Sequence, residues 1–596
     1  MQMKDDKREW KSARGDEAGI LNCNARRSGD GRDQQAIAPI RTIAVALAGA
    51  PRHLEIAGSA EADAREQRAC AIHATQPLTV GSMTTSMITR RRLLASAVTT
   101  AGVVALARVL PARAQPANTI RLTAERRTLE VNGKGASVFG LRQPGGTQGV
   151  ILDPGQRFTV DLANRAGQPT IIHWHGQLPP WREDGFPWRE TPPLASGAAH
   201  SYDFQPITGT YWMHSHQGLQ EQSLMTAPLI VRSASEVRED RQEIVMMLHD
   251  FSFRSPDELL AGLTGTTPEA ADRMSKQMEN IGSPRDRTVA ANNQGSARGS
   301  MTMSMGGMGM SGMSMSGMRM DGGVSMDLND IDYDAYLAND RTLSDPEVIR
   351  VAPGGRLRLR IINGASASQF WIDLGKLTGQ VVAADGHPVH PVAGGRFPLA
   401  IAQRLDILLD LPMGQGTFPI LAQVEGKRAR TGIIIATANS HISRIEGAAA
   451  VAPAVDNSLE ARLSALNPLP SRRPDLVHRI ALAGSMRPYA WALNGQYWPE
   501  IAALMLRKGQ RVEIELVNQS KMAHPMHLHG HVFQVVALNG RPIAGAVRDT
   551  VLVPPMGSVR LAFDADNPGR WAFHCHNLYH MATGMMTEFR YEGVVL

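Results

Sequence analysis

A ten-residue pattern occurs three times in this chain. It reads GQRFTVDLAN at 155–164, GGRLRLRIIN at 354–363 and GQRVEIELVN at 509–518. Each copy is a glycine turn followed by a strand with period-two alternation. Three copies of one unit imply three like domains, and 596 residues are too many for a single core. A second repeat agrees. GTYWMHSH at 209–216 parallels GRWAFHCH at 569–576, and GTFPILAQ at 416–423 is the middle counterpart. Many short strands with Gly and Pro punctuation read as β-sandwiches. The expected fold is all-β, with three Greek-key sandwich domains over about 117–235, 236–445 and 455–596.

The repeats also show where the chemistry lies. His173 stands nine residues after Asn164, and His527 nine after Asn518. Nine residues after Asn363 stands Ile372. Cys575 aligns with Ser215 in the first copy and with Ala422 in the middle one, so only the last domain offers a thiolate. Candidate ligands survive in the first and third domains alone, which implies that these two domains meet with metal between them.

Ten of the 19 histidines fall in four clusters: His173/His175, His214/His216, His524/His527/His529 and His574/His576/His580. A His-x-His pair on a strand puts both imidazoles on one face. Imidazole suits several metals; thiolate and thioether nearby select copper. Cys575, His580 and Met585 supply thiolate, imidazole and a distant thioether, the donors of a blue-copper site. Because strand neighbours face opposite ways, His574 and His576 point away from Cys575, toward a second centre. The isolated His200, His249, His387, His390, His441, His478 and His531 read as ordinary core or surface residues.

Charge and cysteine content bound the setting. The net charge is +6, and residues 1–114 carry all of it, with 17 Lys+Arg against 11 Asp+Glu. The remainder is balanced, which gives no argument for a nucleic-acid partner. Thr89 to Leu94 reads TRRRLL, a twin-arginine n-region, followed by an apolar stretch to about Leu110 and a small-x-small site at 112–114. Residues 83–114 therefore read as an export signal to the periplasm, removed on processing, with no stable membrane anchor. Residues 1–82 precede that signal and read as a non-native or disordered extension. Cys23 and Cys70 lie upstream, so Cys575 is left as the sole cysteine, a liability outside the cytoplasm unless buried or metal-bound.

HWHG at 173, HSH at 214, HPMHLHGH at 524 and HCHNLYHMATGMM at 574 together resemble the four copper signatures of the three-domain multicopper oxidases, over about residues 117–596. The resemblance implies cupredoxin-like domains and four copper ions. A type 1 copper would take His524, Cys575, His580 and axial Met585. A type 2 copper would take His173 and His527. A type 3 pair would take His175, His214 and His576 on one ion, and His216, His529 and His574 on the other. It further implies one-electron oxidation of a substrate at the type 1 site, coupled through Cys575, His574 and His576 to four-electron reduction of dioxygen to water. Asp184 matches a family acid near the type 2 copper, a proton-relay candidate, although Asp184-Gly185 is also an ordinary turn dipeptide. Several bacterial relatives carry Glu where this chain has Met581.

Ten methionines stand among Gly and Ser at 301–326, inside a low-complexity stretch that begins near 283. Thioethers prefer Cu(I), and relatives of the cuprous-oxidase type carry similar inserts. The expected activity is oxidation of Cu(I) in copper tolerance, with extra Cu(I) held at 301–326. The alternatives are a laccase-like oxidase of phenols or Mn(II), and a non-catalytic periplasmic copper binder.

Overall fold

The structure, a computed structural model, describes residues 119–277 and 327–594. Residues 1–82, the expected export signal at 83–114, Cys23, Cys70 and the Met-rich stretch lie outside the described residues.

The chain folds into three β-sandwiches. The first packs a four-stranded sheet, with Ile120–Val131 and Phe158–Arg165 at its centre, on another that holds Ile172–His173 and Gly209–Ser215. The second pairs a six-stranded with a five-stranded sheet around Leu357, Leu359, Ile407 and Ile433. The third pairs a seven-stranded sheet with a five-stranded one that holds His524–Leu528 and Arg570–Cys575.

Each repeated strand has the same two neighbours. Phe158–Arg165, Arg356–Asn363 and Arg511–Asn518 run parallel to the first strand of their own sandwich and antiparallel to a later one. One parallel and one antiparallel neighbour require a crossing connection, the mark of a Greek key rather than a meander.

The asparagine that ends each repeat explains the fixed offset to the histidines. Asn164 Oδ1 accepts from Ala166 N, and its Nδ2 donates to the carbonyls of Gln168 and Leu194. Asn363 binds Ala365 N, Ser368 O and Leu399 O in the same way. Asn518 binds Ser520 N, Met522 O and Val553 O. The side chain thus replaces the sheet ladder where the strand stops and ties the following turn to the opposite sheet. That turn delivers the chain to the next strand at residue 173, 372 or 527.

Strand register corrects one alignment. His173 pairs with His214, and His527 with His574, but Ile372 pairs with Ala422. The middle hairpin therefore holds one residue more between its glycine and the paired position. Gln423, not Ala422, stands where Cys575 stands. The middle sandwich still offers neither thiolate nor imidazole there.

A helical hairpin, Pro256–Thr264 and Pro268–Gln277, leaves the middle sandwich after Gln242–Phe251. Ser255 caps its first helix, with Glu258 completing a capping box. Leu259, Leu260 and Ala271 bury themselves in the cluster that also holds Met581 and Trp491 of the third sandwich. No helix among the described residues is long and apolar enough to cross a membrane.

Candidate metal centre

Two clusters of buried donor groups share one strand. Arg570–Cys575 pairs with His524–Leu528, so Met526 lies opposite Cys575 and His527 opposite His574. Alternation then sends Cys575 into the third sandwich and His574 out of it.

The inner cluster lies wholly within the third sandwich. Cys575 Sγ is 3.7 Å from His524 Nδ1 and 3.6 Å from His580 Nδ1, and the two imidazole nitrogens are 3.1 Å apart. Met585 is buried beside them; its N–H donates to His580 O and its carbonyl accepts from Cys575 N, both at 3.0 Å. Asn577 caps the short helix Leu578–Ala582 and thereby places His580. Trp491 covers the His580 ring at 4.1 Å between centroids. On the outer side, Ser520 Oγ is 2.7 Å from His524 Nε2, and the Asp330 carboxylate lies 3.5 Å from His580 Nε2 without a hydrogen bond to it. Burial pushes the Cys575 thiol up, so only a bound cation would keep it a thiolate here.

The outer cluster joins eight imidazoles across the contact between the first and third sandwiches. His173 Nε2 lies 3.4 Å from His527 Nε2. His529 Nε2 lies 3.1 Å from His574 Nε2, and His216 is grouped with both within 4.8 Å. The rings of His175, His214 and His576 have centroids 4.9–5.6 Å apart. All eight of these imidazoles thus stand in one buried cluster.

These residues fit metal rather than a hydrogen-bonded core. His173 Nδ1 donates to Asp184 O at 2.8 Å, His527 Nδ1 to Asp549 O at 2.8 Å, and His574 Nδ1 to Cys575 O at 3.0 Å. Asp184 Oδ2 lies 2.8 Å from His529 Nδ1, and Asp549 Oδ1 lies 3.1 Å from His175 Nε2. One nitrogen of each of these five rings is thereby occupied, and the other presents a lone pair inward. Among the described residues, His175 Nδ1, His214 Nε2, His216 Nε2 and His576 Nε2 have no hydrogen-bond partner. Burial, with neighbouring imidazoles adding to it, holds His175, His214, His216, His527, His529 and His576 far below the usual histidine range, and burial brings His574 to about 4. Neutral imidazoles with buried, unpaired lone pairs are metal donors.

Sequence reasoning missed several groups around these rings. Glu221 Oε2 is 2.7 Å from His214 Nδ1, and Oε1 is 3.9 Å from His576 Nδ1. It comes from the loop after Gly209–Ser215, five residues beyond His216, and no motif marked it. Met581 belongs to the buried apolar cluster that the helical hairpin also enters. Asp330 and Asp549 were missed as well; both act across long chain separations. Asp184 is fully buried and touches one imidazole from each sandwich.

Known proteins agree with this architecture. Models of the multicopper oxidase family match residues 127–236, 276–448 and 470–593. The chain is 32% identical over 450 residues to multicopper oxidase MmcO of Mycobacterium tuberculosis, covering 73% of this chain and 80% of that one. It is 26% identical over 565 residues to copper resistance protein A of Escherichia coli, covering 75% and 88%. The crystal structure of a laccase from Botrytis aclada superposes with a TM-score of 0.61 at 20% identity, covering 80% of this chain and 88% of that one. Sandwiches joined by such a donor set define a copper-dependent redox enzyme. The chain belongs to the multicopper oxidase family: it is an oxidase that works with copper and takes dioxygen as acceptor.

Proposed function

We propose that this oxidase takes Cu(I) as its reductant and serves copper tolerance in the periplasm, after export by the twin-arginine route. Four Cu(I), one dioxygen and four protons would give four Cu(II) and two waters. The cavity beside the inner cluster carries this reading. Its lining includes Asp327, Glu425, Met522 and Asn577, and it has room for one water-sized body, about 10 Å³. Asp330 stands between Asn577 and His580, donor to acceptor 2.6 Å from the Asn577 amide. Burial works against its charge, yet His580 and hydrogen bonds from Asn577 and Tyr489 hold it below the usual carboxylate range. The thioether suits a soft cation such as Cu(I), and the carboxylate adds negative charge to attract it. Relatives named for copper resistance support the same reading.

In this reading His524, Cys575, His580 and Met585 hold the type 1 copper, His173 and His527 the type 2 copper, and His175/His214/His576 and His216/His529/His574 the type 3 pair. Bound copper supplies one-electron redox chemistry and the reduction of dioxygen. Cys575 gives a covalent route from the substrate side to His574 and His576. Asp184 sits between the His173 and His529 rings, placed to hold a proton at its Oδ atoms. Residues 301–326 capture Cu(I) for the site.

Oxygen uptake with Cu(I), Mn(II) and a phenol, run side by side with copper quantitation, tests the proposal. Asp330→Asn and deletion of 301–320 should each slow Cu(I) oxidation about tenfold or more while phenol oxidation persists. Unchanged Cu(I) kinetics in both would overturn it. A copper-loaded protein that consumes no oxygen would instead point to a binder without turnover.

A further inference from the structure

Among the described residues the middle sandwich gives no imidazole to the outer cluster, yet its Arg404 reaches that cluster through one intermediary. Arg404 opens the strand Arg404–Asp410 and is fully buried. Its Nη1 donates to Asp549 Oδ1 at 2.8 Å, and its Nη2 donates to Asp549 Oδ2. Nε donates to Thr210 O of the first sandwich at 3.2 Å, and Nη1 also to Ala402 O at 3.0 Å. One guanidinium thus touches all three sandwiches.

Asp549 in turn serves two imidazoles from two sandwiches. Its Oδ1 stands 3.1 Å from His175 Nε2, and its carbonyl accepts from His527 Nδ1 at 2.8 Å. The two rings stack at 3.7 Å between centroids. Because Nε2 of His175 is taken by Asp549, Nδ1 is the nitrogen left facing the cluster. The residues on either side of Asp549 are gripped as well. Arg548 donates to Asp385 of the middle sandwich at 2.9 and 3.2 Å, and Thr550 N donates to Asp385 Oδ2 at 3.4 Å.

Gly176 gives an independent sign that this pair is held against the His175 strand. Its φ is +84°, and a Cβ there would stand 2.5 Å from Asp549 Oδ2 and 2.7 Å from Arg404 Nη2. The glycine after His175 is the space into which the ion pair fits.

We propose that Arg404 is a positioning residue for the outer cluster: by holding Asp549 in a two-pronged grip it fixes the His175 ring with Nδ1 inward and seats His527 against it. The middle sandwich so shapes a metal site to which it gives no ligand. This rests on the reading above that His175 and His527 hold copper. Lysine cannot replace the arginine, since a single ammonium cannot span both carboxylate oxygens and Thr210 O together.

The test uses full-length, copper-loaded protein and compares Arg404→Gln and Arg404→Lys with Arg358→Gln. Arg358 is a buried arginine of the same sandwich, paired with Glu236, Glu239 and Asp406 and with no imidazole. Copper affinity of the outer cluster, read by chelator competition, should fall about 10–100-fold in both Arg404 variants. The type 2 electron paramagnetic resonance signal should change and the near-ultraviolet band of the coupled pair should weaken, while the blue band at Cys575 stays. Arg358→Gln should lose stability with every copper signal intact. Equal losses in Arg358→Gln and Arg404→Gln, or an unaltered type 2 signal in the latter, would overturn the proposal. If Arg404→Gln is recovered only unfolded, Arg404→Lys decides, because it keeps the charge and loses the two-pronged grip: an altered type 2 signal supports the grip and an unaltered one overturns it. Parent protein without type 2 or type 3 signals would sink the ligand reading instead, a distinct result.

Discussion

The two donor clusters share the strand Arg570–Cys575 but are built on different plans. The inner one draws His524, Cys575, His580 and Met585 from 62 consecutive residues of one sandwich. Its geometry is set by one strand pair, one capped turn of helix and the Trp491 ring. The outer one takes four imidazoles from the first sandwich and four from the third, and its orienting carboxylates cross the same boundary. Asp184 of the first sandwich touches His529 of the third, and Asp549 of the third touches His175 of the first. A site whose ligands all come from one domain inherits most of its order from the folding of that domain, and here it borrows Asp330 from the preceding one. A site between domains exchanges part of its support across the contact, beside the carbonyls and carboxylates that each half supplies to its own rings.

The largest break in this comparison comes from the shared strand. Cys575→Ser removes the one thiolate and keeps the strand, so the blue absorption and oxygen uptake should vanish together while copper in the outer cluster remains. A blue and active Cys575→Ser protein would end the reading of the inner cluster. Next in size is Asp184→Asn, which keeps the shape of the bridge and removes its charge. Oxygen uptake should fall roughly 10²–10⁴-fold, the range of a lost proton donor or acceptor, with the blue band unchanged. If instead the blue band goes and oxygen reduction stays, the two clusters have been assigned the wrong way round. Glu221→Gln should act more mildly, since His214 and His576 keep other neighbours. A loss of about 10–100-fold in affinity at the type 3 pair is expected, read by the near-ultraviolet band at limiting copper. No change there would show that Glu221 fills space without orienting either ring.

Much of this division can be read from the chain, and the exceptions have physical causes. Strand alternation separates Cys575 from His574 and His576 at sight, since the period of a strand is two. The Asn-to-His offset of nine reports a turn that a buried asparagine enforces three times over. The register of the middle hairpin is hidden, because one added residue between Gly416 and Ala422 leaves no mark when a glycine can be aligned on either side of it. The helical hairpin had a legible signal in Ser255, Pro256 and Glu258, a capping box with proline in the first turn, overshadowed by the methionine run beyond it. Arg404, Asp549 and Glu221 carry no local signal. Arg404 and Asp549 are 145 residues apart in sequence, and an Arg at the start of a strand reads as surface until the third dimension buries it.

The smallest effect concerns the contact itself. His249, on the strand Gln242–Phe251 of the middle sandwich, is buried and lies 2.8 Å by its Nε2 from Thr226 Oγ1 of the first. Thr226 pairs with His214 on the neighbouring strand. Burial pulls the His249 pKa down to about 4. The unfolded chain therefore takes up this proton first, near the ordinary histidine value of about 6.5. The stability that His249 contributes is complete above that value and is lost as pH falls toward about 4. A depression of this size is worth at most ~3 kcal/mol, of which ~2 kcal/mol is gone by about pH 5. His249→Gln cannot titrate and keeps an amide for Thr226. Metal-free variant protein should lose less stability than the parent between pH 7 and pH 5, measured by urea unfolding. The same acid slope in both proteins would show that His249 is not what makes this contact acid-sensitive. A shallower slope would place the acid sensitivity at the joint between sandwiches, so that mild acid weakens the outer cluster while the inner one, held within a single domain, keeps its blue colour.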